Sequence, residues 1–303
     1  MPATRPMQPS LAALIPRHAI PEFLACRAAD EPFVVHGLGQ SIAPLTRLPQ
    51  LASLDALLRS WPGPVQVHLP DLADEASSID ATPADARKLF ATGMGLLFND
   101  IHTLSPELHR WLDAIREDLE LSALTHGRCL VYATPAGKGT APHFDQNLNF
   151  VLQLHGTKHW TLAANHHVER PLTRHTMGLP PDPELQTYAD APLPEHMPAQ
   201  RQTITLEPGS LLFVPRGVWH QTTASSDALS LNFTYTAPTW LDLLGAALRG
   251  RLALDRDWRA TATPTDPEAL TILLHQLAAE LPGWTAGDIL AATEGEAPDA
   301  RDP

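Results

Sequence analysis

His143, Phe144 and Asp145 follow one another within KGTAPHFDQNLNFVLQLHGTKHW, residues 138–160. Successive side chains of a strand alternate between faces, so His143 and Asp145 point the same way, as two ligands of one ion must. A neutral imidazole and a carboxylate suit a divalent transition metal, and a second histidine would complete a facial triad that leaves positions open on ferrous iron. The pair is weak evidence alone. With 15 histidines and 34 acidic residues among 303 positions, chance supplies about two His-x-Asp/Glu triplets. Support comes from EPGSLLFVPRGVWH, residues 207–220, where a turn at Pro208-Gly209 launches the apolar run Leu211-Leu212-Phe213-Val214. Pro215 and Gly217 then break that strand just before His220.

Gly209, Pro215, Gly217 and His220 fit the spacing Gly-x5-Pro-x-Gly-x2-His, the second metal motif of cupin barrels. Ala224 stands where small cupins usually carry an asparagine, which fits the iron oxygenases of that superfamily better. On these motifs the chain resembles a JmjC-type oxygenase, a cupin-like enzyme dependent on Fe(II) and 2-oxoglutarate. Residues 140–160 are similar to the asparaginyl hydroxylase that represses the hypoxia-inducible factor. LLFNDIHTLSPELHRW, and HFDQ followed by a tryptophan, resemble the bacterial ribosomal-protein hydroxylases. The resemblance implies a mainly β fold with helical additions, built on a double-stranded β-helix, the jelly-roll barrel of cupins and JmjC proteins. It implies iron ligands at His143, Asp145 and His220, and a 2-oxoglutarate pocket using Thr140, Asn149, Lys158 and Asn232, with dioxygen as the oxidant. The activity implied is hydroxylation of a side chain in a protein or peptide.

Lys158 can be weighed on physical grounds. The distal carboxylate of such a cosubstrate needs a cation at the closed end of the barrel, and a hydroxyl such as that of Thr140 can donate a second hydrogen bond. A straight strand from His143 to Lys158 would span roughly 50 Å, far beyond one small ligand. The chain must therefore fold back, with a tight turn at Gly156-Thr157 and a change of sheet near Asp145 to Asn149. Tyr132, in the apolar run CLVYA, either reaches the cosubstrate carboxylate or is an ordinary core tyrosine.

The elements that must position these residues form three segments. Residues 1–125 read as an α/β region buttressing the barrel, with a short helix from Pro21, a strand over Pro32 to Gly37 and an alternating strand over Val65 to Leu69 at an accessory sheet edge. His36 reads there as a strand-end histidine. Ser53 precedes a helical LDALLRS, and Thr82-Pro83 and Ser105-Pro106-Glu107 open further helices. The helix opened at Ser105 carries Leu108, Trp111, Leu112, Ile115 and Leu119 on one face, a spacing suited to packing on a sheet. Residues 126–238 read as the barrel with the catalytic site. Residues 239–303 read as a helical region, with helices from Thr239 and Asp266, and a disordered tail. That helical region is apolar enough to need a cover, either the barrel or a second subunit in a homodimer. The proline-rich passage from His166 to Gln200 is either a surface excursion or a rim that grips substrate over the metal. Its histidines match no zinc spacing.

Composition narrows the partners. A net charge of −13 opposes binding to nucleic-acid phosphates and favours a basic protein or peptide. Two cysteines, Cys26 and Cys129, make no disulfide framework, so a reducing cytoplasm is expected. No apolar run approaches the ~20 residues of a membrane helix, and the first residues lack the apolar core of a signal peptide. The same residues also suit a metal-binding cupin without oxygenase activity (an isomerase, sensor or interaction module), a small-molecule hydroxylase, or an N-methyl demethylase.

Overall fold

The computed structural model describes residues 9–71, 75–262 and 267–294. The chain divides into two compact units, Met1–Glu120 with Gly127–Thr236, and Leu121–His126 with Ala237–Pro303. In chain order the strands are β1 Phe33–Val35, β2 Val65–His68, β3 Ser78–Ala81, β4 Leu96–Phe98, β5 His126–Thr134, β6 Gly139–Phe144, β7 Leu148–His155, β8 Lys158–Ala163, β9 His175–Thr176, β10 Gln202–Leu206, β11 Leu211–Val214, β12 Trp219–Ala224 and β13 Ala228–Thr236. They form an eight-stranded sheet, β1-β11-β7-β13-β5-β4-β2-β3, and a five-stranded sheet, β10-β8-β12-β6-β9. This is the mainly β jelly roll with helical additions that the motifs imply.

Strand β7 shows why the layers form. Its even residues face the helices: Phe150 lies 6.0 Å from Phe23 and 5.0 Å from Phe213, ring to ring. Its odd residue Val151 instead joins Trp160, Leu162, Leu212 and Val214 in the barrel interior. Burying each aromatic or aliphatic side chain of this kind contributes about 1.5–3 kcal/mol. The helix Ile20–Ala28 brings Phe23, and the helix Pro106–Asp118 lies against the same sheet face, where its Leu112 carbonyl accepts from the Tyr235 hydroxyl at 2.8 Å. The second helix starts where Ser105 Oγ accepts from the Leu108 amide, and it buries Leu108, Trp111, Leu112 and Ile115 as their spacing predicts.

One local expectation needs correction. Strand β2 is not an edge: it lies between β4 and β3, and the N-terminal segment supplies four strands of the larger sheet, β1 by pairing with β11. Gly156-Thr157 makes the tight turn expected of it, and the change of sheet falls between Asp145 and Asn149 as expected. The chain crosses from the smaller sheet (β6) to the larger (β7) after Asp145 and returns to the smaller (β8) at Gly156. Gly156 has φ +67°, and a Cβ there would come 2.1 Å from the Asp227 carbonyl oxygen, so the return requires glycine.

The proline-rich passage is a packed excursion. It carries β9 and the helix Pro183–Tyr188, and its Val168, Met177 and Leu185 bury against Phe144 and Trp219. In the second unit Thr239 and Asp242 form a capping box on the helix Trp240–Leu252. The helix Pro267–Glu280 buries none of its residues. Asp266, expected to open that helix, and the tail beyond Glu294 lie outside the described residues. Among the described residues no helix is long and apolar enough to cross a membrane.

Candidate metal and cosubstrate site

His143 and His220 are Cα partners on neighbouring strands, β6 and β12, and their rings lie 4.1 Å apart. Asp145 follows β6 directly, and one ligand atom from each of the three residues falls within 4.8 Å of the others. Each histidine is oriented by its own backbone: His143 Nδ1 meets the Ala141 carbonyl at 2.7 Å and His220 Nδ1 meets the Val218 carbonyl at 2.9 Å. A carbonyl only accepts, so each Nδ1 carries a hydrogen and Nε2 is the nitrogen left to face a metal. Both imidazoles are buried. Burial pushes the Asp145 carboxyl up, but the His143 and His220 imidazoles and the Arg174 guanidinium outweigh it and hold the group below the usual carboxylate range. With both imidazoles neutral, as a metal requires of them, the cluster offers two nitrogen donors and one anionic oxygen, the donor set of a divalent transition metal.

A bulge aligns the neighbouring hydroxyl. Between His220 and Thr222 on β12 the register on β6 runs from His143 to Thr140, two residues against three. The extra residue reverses the alternation, so Thr140 shares a face with His143 despite the odd spacing. Thr140 Oγ1 lies 2.9 Å from Thr222 Oγ1, and the Thr140 amide donates to the same Thr222 oxygen at 3.1 Å. On the next strand Lys158 and Trp160 share the inner face of β8 with Leu162. The Trp160 ring stacks on His220 at 5.5 Å, and the Lys158 ammonium lies 5.8 Å from that ring and 5.7 Å from the Tyr132 ring.

Lys158 is 2% exposed. No carboxylate pairs with it among the described residues, and burial alone pushes its ammonium down to about 8. Asn232 is buried beside Val151 of β7, and its Oδ1 has no hydrogen-bond partner. Thr140, Lys158 and Asn232 thus line one interior. The Asn149 Nδ2 donates to Asp145 Oδ2 at 3.0 Å while its Oδ1 accepts from the Thr234 hydroxyl at 2.7 Å. The Tyr132 ring flanks Lys158, but its hydroxyl donates to Glu75. Arg174 was not legible as a site residue; its Nε donates to Asp145 Oδ1 at 3.0 Å from the proline-rich excursion.

Comparison with known proteins gives this geometry a family. A family model described as the JmjC domain matches residues 106–243. YxbC of Bacillus subtilis (strain 168), an uncharacterized protein, is 30% identical over 258 residues, covering 83% of this chain and 78% of YxbC. The chain belongs to the JmjC-domain family. Ribosomal oxygenase 1 of Gallus gallus is 31% identical over 224 residues, covering 69% of this chain. The chain spans only 34% of that longer relative's length. Among solved structures, the Escherichia coli ribosomal oxygenase YcfD shares the fold with a TM-score of 0.53 at 15% identity, covering 93% of this JmjC chain and 72% of YcfD. YcfD in complex with cobalt and succinic acid matches with a TM-score of 0.50 at 18% identity, covering 85% and 66%.

Proposed function

We propose that the protein is an Fe(II)- and 2-oxoglutarate-dependent oxygenase that hydroxylates a side chain of a protein or peptide. The observation that carries the reading is Lys158, a buried cation with no anionic partner among the described residues, on the inner face of the sheet that holds both histidines. A bare metal-binding cupin has no use for a buried ammonium, which costs stability unless something neutralises it. A dicarboxylate bound to the metal at one end supplies that charge at the other. The residues present fit both groups, because two imidazole nitrogens and one carboxylate lie together at one end and the buried Lys158 ammonium supplies the cation that a second carboxylate needs.

When bound, ferrous iron with 2-oxoglutarate and dioxygen supplies oxidation of a C–H bond to C–OH, with the cosubstrate decarboxylated to succinate. The chain's own residues do the positioning. His143 and His220 present Nε2, Asp145 presents a carboxylate oxygen, and Lys158 with the Thr140 hydroxyl holds the distal carboxylate. Trp160, Val151 and Val214 keep water from the interior between those ends.

Relatives named ribosomal oxygenases support a protein substrate, and a net charge of −13 favours a basic one. Exposed Trp240, Leu241 and Leu244 on one helix, and Leu270, Ile272 and Leu274 on another, support a homodimer through the C-terminal helices. Two free cysteines support a cytoplasmic location. The test is incubation of a peptide library or cell extract with enzyme, Fe(II) and 2-oxoglutarate, followed by mass spectrometry. One added oxygen on a substrate side chain is expected; succinate formation with loss of a methyl group instead would indicate demethylation, and no product would contradict the reading.

A further inference from the structure

The two oxygens of Asp145 have different neighbours. Oδ2 accepts from Asn149 Nδ2 at 3.0 Å and lies 3.6 Å from His220 Nε2. Oδ1 accepts from Arg174 Nε at 3.0 Å. Arg174 immediately precedes β9, and its Nη1 donates to Thr176 Oγ1 at 3.1 Å, Thr176 being the Cα partner of His143. One planar fork thus ties the ligand carboxylate to the strand that pairs with the first ligand histidine.

We propose that Arg174 is a positioning residue that makes Asp145 a one-oxygen metal ligand. The inference rests on the metal-site reading above and deepens it. A carboxylate can grip a metal through one oxygen or through two, and the second mode occupies a coordination position that a chelating cosubstrate and dioxygen would need. With Oδ1 held by a charge-assisted hydrogen bond, Oδ2 is the oxygen turned to the imidazole nitrogens. The guanidinium is only 24% exposed on its side chain, so water screens the pair weakly. An arginine suits the task better than a lysine, because its fixed fork engages Asp145 and Thr176 together. The opposing effect is repulsion between the guanidinium and a metal cation. Hydrogen-bond partners that orient metal ligands are typically worth about 10–100-fold in metal affinity or activity, so the orienting effect is expected to win.

The experiment is titration of Co(II) into metal-free wild type, Arg174→Met and Arg174→Lys, following the visible d–d absorption and, separately, thermal unfolding. Arg174→Met is expected to bind Co(II) about tenfold or more weakly and to change the band intensities through altered coordination. Arg174→Lys should recover part of the affinity, since it restores the charge without the fork. A role confined to packing the excursion would lower the melting temperature and leave the spectrum unchanged. Equal Co(II) affinity and spectrum in Arg174→Met and wild type, or tighter binding in the variant, would overturn the proposal while leaving the metal site standing. Wild type that takes up no Co(II) would overturn both. If Arg174→Met does not fold, Arg174→Lys decides alone, because its ammonium lacks the fixed fork that holds Asp145 and Thr176 together; an unchanged affinity and spectrum there would overturn the proposal.

Discussion

The amide of Gly217 donates to the carbonyl oxygen of Asp145 at 2.9 Å. The two metal motifs, far apart in the chain, are therefore joined by a backbone hydrogen bond beside the ligands. Gly217 sits at φ +86°, and a Cβ there would come 2.9 Å from Pro171 Cδ. Pro171 cannot easily yield, since its carbonyl accepts from Arg216 Nε at 2.7 Å.

Gly217→Ala should therefore cost about 1–2 kcal/mol from the left-handed backbone alone, with the contact to Pro171 adding to it. Thermal unfolding and Co(II) titration of the variant should both show a loss. A variant as stable and as tight for metal as wild type would contradict the role given to this turn.

Asp145→Ala should abolish metal uptake and turnover with little loss of fold. The carboxylate faces imidazoles, Asn149 and Arg174 rather than the apolar core, and its removal subtracts the one anion of the donor set. Circular dichroism and anaerobic Fe(II) titration check this; oxygenase activity undiminished in the variant would remove Asp145 from the site.

Lys158 makes stability depend on pH. Its ammonium loses a proton near pH 8 when folded and near 10.5 when unfolded. Between those values the unfolded chain holds more protons, so stability of the ligand-free protein should rise with pH across that window. Below pH 8 the cost of the buried charge persists, about 3 kcal/mol before the Tyr132 and Trp160 rings offset part of it. Lys158→Met should be more stable than wild type at pH 7 and should flatten the rise. Denaturant unfolding at pH 7, 8, 9 and 10 tests this, and a wild type without the rise would contradict the buried, uncompensated cation.

The histidines, the aspartate and the lysine were legible because each lies in a local pattern: His-x-Asp in one strand, glycine and proline punctuation before His220, and a lysine immediately before His159 and Trp160. The helix over Pro106–Asp118 was legible for the same reason, a cap followed by apolar residues at helical spacing. Arg174 was not, because its role depends on a two-residue strand pairing with β6 across a long excursion, and no local periodicity encodes that pairing. The bulge that turns Thr140 to the face of His143 is likewise a property of two strands together. The hydrogen bonds of the Asn149 amide to Asp145 and Thr234 also join separate segments, so no local pattern encodes them. The position of β2 inside the larger sheet follows from β3 pairing on its far side, which alternation within β2 cannot reveal.

A protein of net charge −13 should modify basic peptides in preference to acidic ones, and binding should weaken as salt rises. Parallel assays of acidic and basic peptide pools at low and high ionic strength check this. Equal modification of both pools, independent of salt, would contradict a charge-guided partner.

Anaerobic titration of Fe(II) and then 2-oxoglutarate into wild type and Lys158→Ala tests whether Lys158 receives the distal carboxylate of 2-oxoglutarate. Removing one partner of a buried charge pair costs roughly 2–5 kcal/mol, and each 1.4 kcal/mol is about tenfold in affinity. The metal-to-cosubstrate charge-transfer band should therefore appear at about thirty-fold or more higher 2-oxoglutarate in the variant, with Fe(II) affinity unchanged. Equal 2-oxoglutarate affinity in the two proteins would remove Lys158 from the pocket, and the absence of the band in both would contradict the oxygenase.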